Sequence, residues 1–234
     1  MGGGFKLLKF VSKITAEIGS KWVSFKWKVG NKLFARYRRM KLKNKNFSII
    51  CNNCVAGGIY QKLGLPYNTP TIGLFFPSDD YINFLEKFKY YIKQPLEFKN
   101  TSRHNKASEF LKTHFYPVGV LGDKIEIHFL HYENEKMAKD AWNRRKERIN
   151  FDNLFFIYSD REEDFQDEFL DRYSKLSFNH KIFLSLQPRK NNKIVISIQS
   201  NTDDPKVVAR AEYEKYFDII KWLNGDDDFI KKHY

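Results

Sequence analysis

Short apolar runs alternate with stretches of helical periodicity along most of this chain, and that alternation fixes its fold class more firmly than any other feature. "FSIIC" (47–51), "TIGLFF" (71–76), "NLFFIYS" (153–159), "KIFLSLQ" (181–187) and "KIVISIQ" (193–199) read as strands. Between them lie "VAGGIYQKLG", a helix ended by Gly64, and "SDDYINFLEKFKYYIKQ". The latter has Ser78 as N-cap and Tyr81, Phe84, Leu85, Phe88 and Ile92 on one face. Further helices are expected from about Glu133 to Ile149, over "EEDFQDEFLDRYSKL", and from about Pro205 to Leu223. Strands alternating with helices imply an α/β domain, a layered and mostly parallel sheet with helices on both faces. "GVLGDKIEIHFLHY" adds an antiparallel hairpin turning at Leu-Gly-Asp. A chain that is 42% hydrophobic and 17% aromatic buries a core without disulfides, and its two cysteines could not supply a framework. One α/β domain is expected over 46–225, followed by a tail, 226–234.

The formal charge of +13 is unevenly placed. Residues 1–45 hold 13 Lys/Arg and a single acid, Glu17, whereas the rest of the chain is close to neutral. Leu7, Val11, Ile14, Ile18, Trp22, Phe25, Val29 and Leu33 recur at steps of three and four, which makes this arm a basic amphipathic helix. Lysines interrupt it too often for a membrane span or a signal-peptide core. Its composition suits an anionic membrane surface, reached through residues 5–45, and equally a helix that docks its apolar stripe on protein. No recognised nucleic-acid-binding module accompanies the basic run, so nucleic acid is not an expected partner.

Both cysteines fall in "CNNCVAGG" (51–58), where the first strand is expected to hand over to a helix. In open α/β sheets ligands bind outside the carboxyl ends of strands. A thiol at a helix N-terminus has its thiolate stabilised by unpaired N–H groups and the helix dipole. Cys54 is therefore the candidate nucleophile, beside Asn53, with Gly57 and Gly58 offering backbone donors to an oxyanion. The alternatives are a redox pair, half of a metal site and a buried packing corner. Zinc lacks further ligand motifs, and a redox pair lacks a matching thioredoxin pattern.

A cysteine nucleophile needs a base. In "KIEIHFLHY", His131 extends the face of Ile125, Ile127 and Phe129 at a strand end and is the first choice. His128, beside Glu126, is read as a surface residue on the other face. On the next helix Trp142 belongs to the buried stripe, with Arg145 and Arg148 on or beside it. Two arginines one turn apart suit a phosphate or carboxylate gripped bidentately, or a structural pairing with Asp152 or Asp123. "SDD" (78–80) and "GDDDF" (225–229) offer carboxylates to a divalent metal but read first as solvated turns, and no metal ligand is assigned.

Four ordered blocks, "IICNNCVAGGIYQKLGLPYNTPTIGLFF", "YPVGVLGDKIEIHFLHY", "AWNRRKERINFDNLFFIYSDRE" and "KYFDIIKWLNG", resemble the bacterial domain-of-unknown-function family 1919. Its members are commonly labelled exopolysaccharide or capsule biosynthesis proteins. The resemblance runs from about Leu33 to Gly225, and Cys54, His131, Trp142, Arg145, Arg148, Asp152 and Asn153 match the family pattern. It implies an enzyme of that pathway acting on a polysaccharide precursor or a nucleotide- or lipid-linked sugar. Cysteine-dependent acyl transfer from a coenzyme A-linked donor is the first expectation, at the cytoplasmic face of the cell membrane. A metal-dependent glycosyl or sugar-phosphate transferase and a non-enzymatic membrane-peripheral scaffold are the alternatives.

Overall fold

A four-stranded parallel sheet, ordered β1-β5-β6-β7, organises the chain. Its strands are β1 (Ser48–Cys51), β5 (Leu154–Ser159), β6 (Lys181–Ser185) and β7 (Val195–Ser197). The computed structural model of the protein describes residues 33–122, 124–161, 164–190, 193–198 and 213–231. Every residue of β1, β6 and β7 except Lys181 is buried, as is all of β5 beyond Leu154. Such burial on both faces is why these strands read as continuous apolar runs rather than as alternations.

The two faces carry separate cores. Ile49, Cys51, Phe155, Ile157, Ile182, Leu184 and Ile196 turn to one side. There they pack against α2 (Val55–Leu63), α8 (Tyr213–Tyr216) and α9 (Ile219–Leu223) through Ile59, Tyr60, Tyr213 and Trp222. Ile50, Phe156, Tyr158, Phe183 and Val195 turn to the other. They meet α3 (Ser78–Glu86), α4 (Phe88–Tyr91), α6 (Glu135–Lys146) and α7 (Asp167–Lys175). This is the expected α/β layering with helices on both faces.

A second sheet, β2-β3-β4, is antiparallel: β2 (Leu96–Lys99), β3 (Val118–Leu121) and β4 (Ile125–His128). The hairpin of β3 and β4 stands where its turn residues put it, with Gly122 at φ 55°. β2 and α5 (Asn105–Leu111), by contrast, carry no strong sequence signal. "TIGLFF" is not a strand. Gly73 sits at φ 74°, between Pro70 and Pro77, and the run makes one bridge, Phe75 with His128. It nevertheless joins the two sheets. Thr71 Oγ1 accepts from Cys51 N–H (3.2 Å), the Phe76 N–H donates to the Asn52 carbonyl (2.9 Å), and Gly73 O accepts from His131 N–H (3.1 Å).

The last helix is interrupted rather than continuous in its described part. Asp218 leaves helical geometry and caps α9 by accepting from Ile220 and Lys221 N–H. The expected stretch 205–212 lies outside the described residues. Beyond 225 the chain stays attached, with Phe217 bridging Ile230. Of the N-terminal arm, 1–32 likewise lies outside the described residues, and a helix runs through 33–40 (α1). Ala35 and Leu42 are buried against the domain, and Arg39 Nη1 donates to the Leu63 carbonyl (2.7 Å). Leu33, Phe34, Tyr37 and Met40 are exposed. At this end, therefore, the arm docks through Ala35, Arg39 and Leu42 and leaves Leu33 of the apolar stripe in solvent.

Candidate functional site

β1 ends at Cys51 and α2 opens at Val55, so Asn52, Asn53 and Cys54 form the strand-to-helix corner at the carboxyl end of the parallel sheet. Cys54 is the helix N-cap residue and is half-buried. No disulfide joins the two cysteines. Cys51 is buried and its thiol donates to Asn53 Oδ1 at 3.3 Å. Burial pushes that thiol up to about 12, and the backbone N–H groups of Asn53, Ala56 and Val55 facing it offset only part of the shift. Cys51 is thus a neutral core residue, and the accessible sulfur of the corner is Cys54.

Asn53 is 1% exposed. Its Oδ1 accepts from the Val55 N–H (3.2 Å) and so caps α2, while its Nδ2 has no hydrogen-bond partner among the described residues. The Tyr213 hydroxyl is a second buried group without a hydrogen-bond partner among the described residues. A methyl group added at Gly58 would lie 3.8 Å from that hydroxyl. Cys54 and Gly58, four residues apart, share one face of α2. The Asn53 amide thus sits at the start of α2 beside the buried Cys51 thiol, and the Tyr213 hydroxyl faces Gly58 one turn further on.

The two glycines differ from expectation. The Gly58 N–H donates to the Cys54 carbonyl (3.2 Å) and is not available to an oxyanion. Gly57 is buried and faces the Ile72 side chain. Asn53 Nδ2 is the free donor instead.

His131 stands in the turn after β4 and is exposed, so it does not prolong the strand. It is held against Gly73 on the far side of the 71–76 segment from β1. The structure thus places His131 beside Gly73, in the segment that bonds the end of β1, and not on the β4 ladder.

Arg145 and Arg148 have separate surroundings. Arg145 Nη1 donates to the Tyr132 hydroxyl and to the Ile72 carbonyl (3.4 Å), and its guanidinium lies over the Tyr67 ring at 5.1 Å. Arg148 and Asp152 are exposed. Asn153 Nδ2 donates to Asn46 O (3.1 Å), beside the start of β1 and at the opposite end from Cys54. Trp142 is fully packed in the core against Phe129.

A cluster of charged groups that sequence reasoning did not assemble lies between α3 and the second sheet. Asp80 is buried, accepts from Glu126 N–H (2.9 Å) and Arg103, and bonds His104 Nε2 at 2.7 Å. Glu126, also buried, pairs with His128 at 2.9 Å and with Lys99 and Ser102, and His128 Nδ1 meets the Tyr116 hydroxyl at 3.0 Å. His128, read as a surface residue, is completely buried because β4 is covered on both faces. Burial pushes the Glu126 carboxyl up, but the His128, Lys99 and Ser102 bonds and the Arg103 N–H outweigh it and hold the group well below the usual range. Burial also raises Asp80 and works against a charged His104, yet the Asp80 bond and neighbouring carboxylates raise His104 on balance. One atom each from Asp79, Asp80 and His104 lies within 4.8 Å of the others, so a divalent cation is geometrically conceivable there. However, both Asp80 oxygens already have partners and one is the Arg103 guanidinium, a cation in the place a metal would take.

Comparison with known sequences bears on this corner. The family model of the domain of unknown function DUF1919 matches residues 26–224. The chain belongs to the DUF1919 family. An uncharacterized protein of Haemophilus influenzae (strain ATCC 51907 / DSM 11121 / KW20 / Rd) is 30% identical over 197 residues, which cover 81% of this chain and 89% of that protein. This DUF1919 chain thus carries the whole cysteine corner, both sheets and the charged cluster within the matched span. Among its described residues no helix is long and apolar enough to cross a membrane.

Proposed function

We propose that the protein is a cysteine-dependent acyltransferase of exopolysaccharide or capsule biosynthesis, with Cys54 as nucleophile and a coenzyme A-linked thioester as donor. The Cys54 thiolate adds to the acyl carbonyl, and the donor leaves as its thiol with the proton taken from Cys54. A sugar hydroxyl of the precursor then attacks the Cys54 thioester, forming the ester and expelling Cys54, which takes up the hydroxyl proton. The observation that carries this reading is the unpartnered, buried Nδ2 of Asn53 adjoining an accessible thiol at a helix N-terminus. A buried donor without a partner costs about 1–3 kcal/mol, a cost that an oxyanion at the corner removes. The pathway is carried over from the sequence resemblance. Activation of the thiol falls mainly to the helix N-terminus, with His131 acting as base across the substrate.

The test is iodoacetamide labelling near neutral pH followed by peptide mapping. Cys54 is expected to react faster than a free thiol, with Cys51 untouched until the protein unfolds, and acetyl-coenzyme A should slow the reaction. A Cys54 rate at or below that of a free thiol overturns the proposal. Metal-dependent glycosyl or sugar-phosphate transfer at Asp79, Asp80 and His104 is the second reading, and a cation bound there would have to displace Arg103 from Asp80. It requires that Mn²⁺ or Mg²⁺ restore an activity lost to a chelator, and Asp79→Asn should then abolish transfer while Cys54→Ser should not.

A further inference from the structure

A cleft of about 460 Å³ opens between α1, α2, α8 and α9 on the face of the parallel sheet that carries α2. Its lining includes five cationic side chains, Arg38, Lys41, Lys62, Lys221 and Lys231, against two acidic ones, Glu214 and Asp218. The acids do not balance them. Glu214 is divided between Lys62 (3.3 Å) and Arg38 (3.9 Å), and Asp218 accepts the two N–H bonds that cap α9. Among the described residues Lys221 alone has a further acid, Asp228 outside the lining (2.5 Å). Lys41 has only the Tyr37 ring, 4.5 Å below its ammonium, and no carboxylate partner among the described residues. The floor is apolar, made by Ile59, Leu63, Phe217 and Ile219. A concavity with surplus positive charge around an apolar base suits an amphiphile with an anionic head.

α1 extends that chemistry out of the cleft. Tyr37 lines it, and Leu33, Phe34 and Met40, within one turn of Tyr37 on the same helix, are exposed at 66%, 62% and 68%. Large apolar side chains beside lysines and arginines form a surface for lipid chains below phosphate heads. The 1–45 segment, which contributes Tyr37, Arg38 and Lys41 to the cleft, holds 13 cations and one acid, a charge that favours an anionic membrane.

We propose that this cleft binds the phosphate of a phosphorylated lipid, with the lipid chain lying along Leu33, Phe34, Tyr37 and Met40. The site adds to the acyl-transfer reading a lipid-linked acceptor, and it rests on that reading only for the acceptor's role. The cleft and the thiol are linked through α2. Cys54, Gly58 and Lys62 are spaced i, i+4 and i+8 on one helix face, so the thiol lies about 12 Å along the helix from the cleft. A phosphate held at Lys41 and Lys62 would set the first residues of a lipid-linked sugar toward the carboxyl end of the sheet.

The test is calorimetric titration of the full-length chain with short-chain phosphatidic acid below its micelle concentration, beside inorganic phosphate and the uncharged diacylglycerol. Saturable binding of one phosphatidic acid per chain is expected, with inorganic phosphate and diacylglycerol each at least tenfold weaker. Lys41→Glu should weaken binding roughly tenfold or more, whereas Lys139→Glu, the same charge change on exposed α6, should leave it unchanged. Lys231→Gln serves as a second cleft variant, and unchanged thermal unfolding confirms that each variant is folded. Equal losses in Lys41→Glu and Lys139→Glu overturn the proposal in favour of diffuse electrostatics. Equal affinity for inorganic phosphate overturns the lipid assignment, and absence of saturation overturns the site. None of these outcomes depends on Cys54 reactivity, so the two readings fail separately.

Discussion

Asn52 and Ser159 exchange two hydrogen bonds across the carboxyl ends of β1 and β5. Asn52 Nδ2 donates to the Ser159 carbonyl at 3.0 Å, and the Ser159 N–H donates to Asn52 Oδ1 at 3.1 Å. The side chain thereby prolongs the parallel ladder by one residue after β1 has begun to turn. Both residues are buried, and the next residue is the Asn53 that caps α2. The position of Cys54 is therefore set by a side chain acting as backbone.

Asn52→Ala removes both bonds and leaves a buried N–H and a buried carbonyl of Ser159 unpaired. The expected loss is about 2–4 kcal/mol of unfolding free energy, measured by urea denaturation with an unchanged slope. Asn52→Asp should be no milder, because it keeps the acceptor, loses the donor and buries a charge.

Arg145 and Arg148 are expected to separate in the same measurement. Arg145→Ala strips a guanidinium from Tyr132, the Ile72 carbonyl and the Tyr67 ring and should cost about 1–2 kcal/mol. Arg148→Ala, on an exposed side chain, should stay within about 0.5 kcal/mol of wild type. Equal effects on stability would show that the Arg145 contacts contribute nothing.

Glu126 makes stability depend on acid. Its carboxyl titrates below the ordinary value of 4.5 in the folded protein, held there against burial by His128, Lys99, Ser102 and the Arg103 N–H. A depressed folded value means that this contribution is present above pH 4.5 and is lost as pH falls toward the folded value. Thermal unfolding of wild type should drop steeply between pH 5 and pH 3. Glu126→Gln should start lower at pH 7 and fall less across that interval.

How far these features were legible in the sequence follows from the range of the forces that make them. The strands of the parallel sheet were visible because burial on both faces leaves an unbroken apolar run, as in "NLFFIYS", and the β3–β4 turn was visible in Leu-Gly-Asp. The 71–76 run has the same apolar character, yet Gly73 and its flanking prolines keep it out of ladder geometry. The accessible thiol at the start of α2 was legible from the strand-to-helix handover at "CNNC". The orphaned Asn53 amide was not, since it depends on which atoms the fold fails to provide. The Asp80–His104 pair was out of reach for another reason: it joins residues 24 apart through a loop that carries little periodicity, whereas Glu126 and His128 share one face of β4 and stand side by side in the sequence pattern. His128 looked like a surface residue because an alternating strand usually has a wet face, and here α3 and the loop after β2 cover it.

Gly58 offers the sharpest separation of function from stability. A Cβ there meets only the Tyr213 hydroxyl, at 3.8 Å, an ordinary contact, and the residue lies inside α2. Replacing an interior helical glycine by alanine stabilises a helix by about 0.5–1 kcal/mol. Gly58→Ala should therefore raise the melting temperature by a few degrees. The same methyl group sits one turn from Cys54 on the thiol's own face, so it narrows the approach of an acyl donor. Iodoacetamide labelling of Cys54 and acyl transfer should both slow, while Gly57→Ala, whose methyl would face Ile72 at 3.7 Å, should change neither. A Gly58→Ala protein that is more stable and equally reactive would show that the thiol is approached from elsewhere, and the donor's path would then have to run over the 71–76 segment on the His131 side.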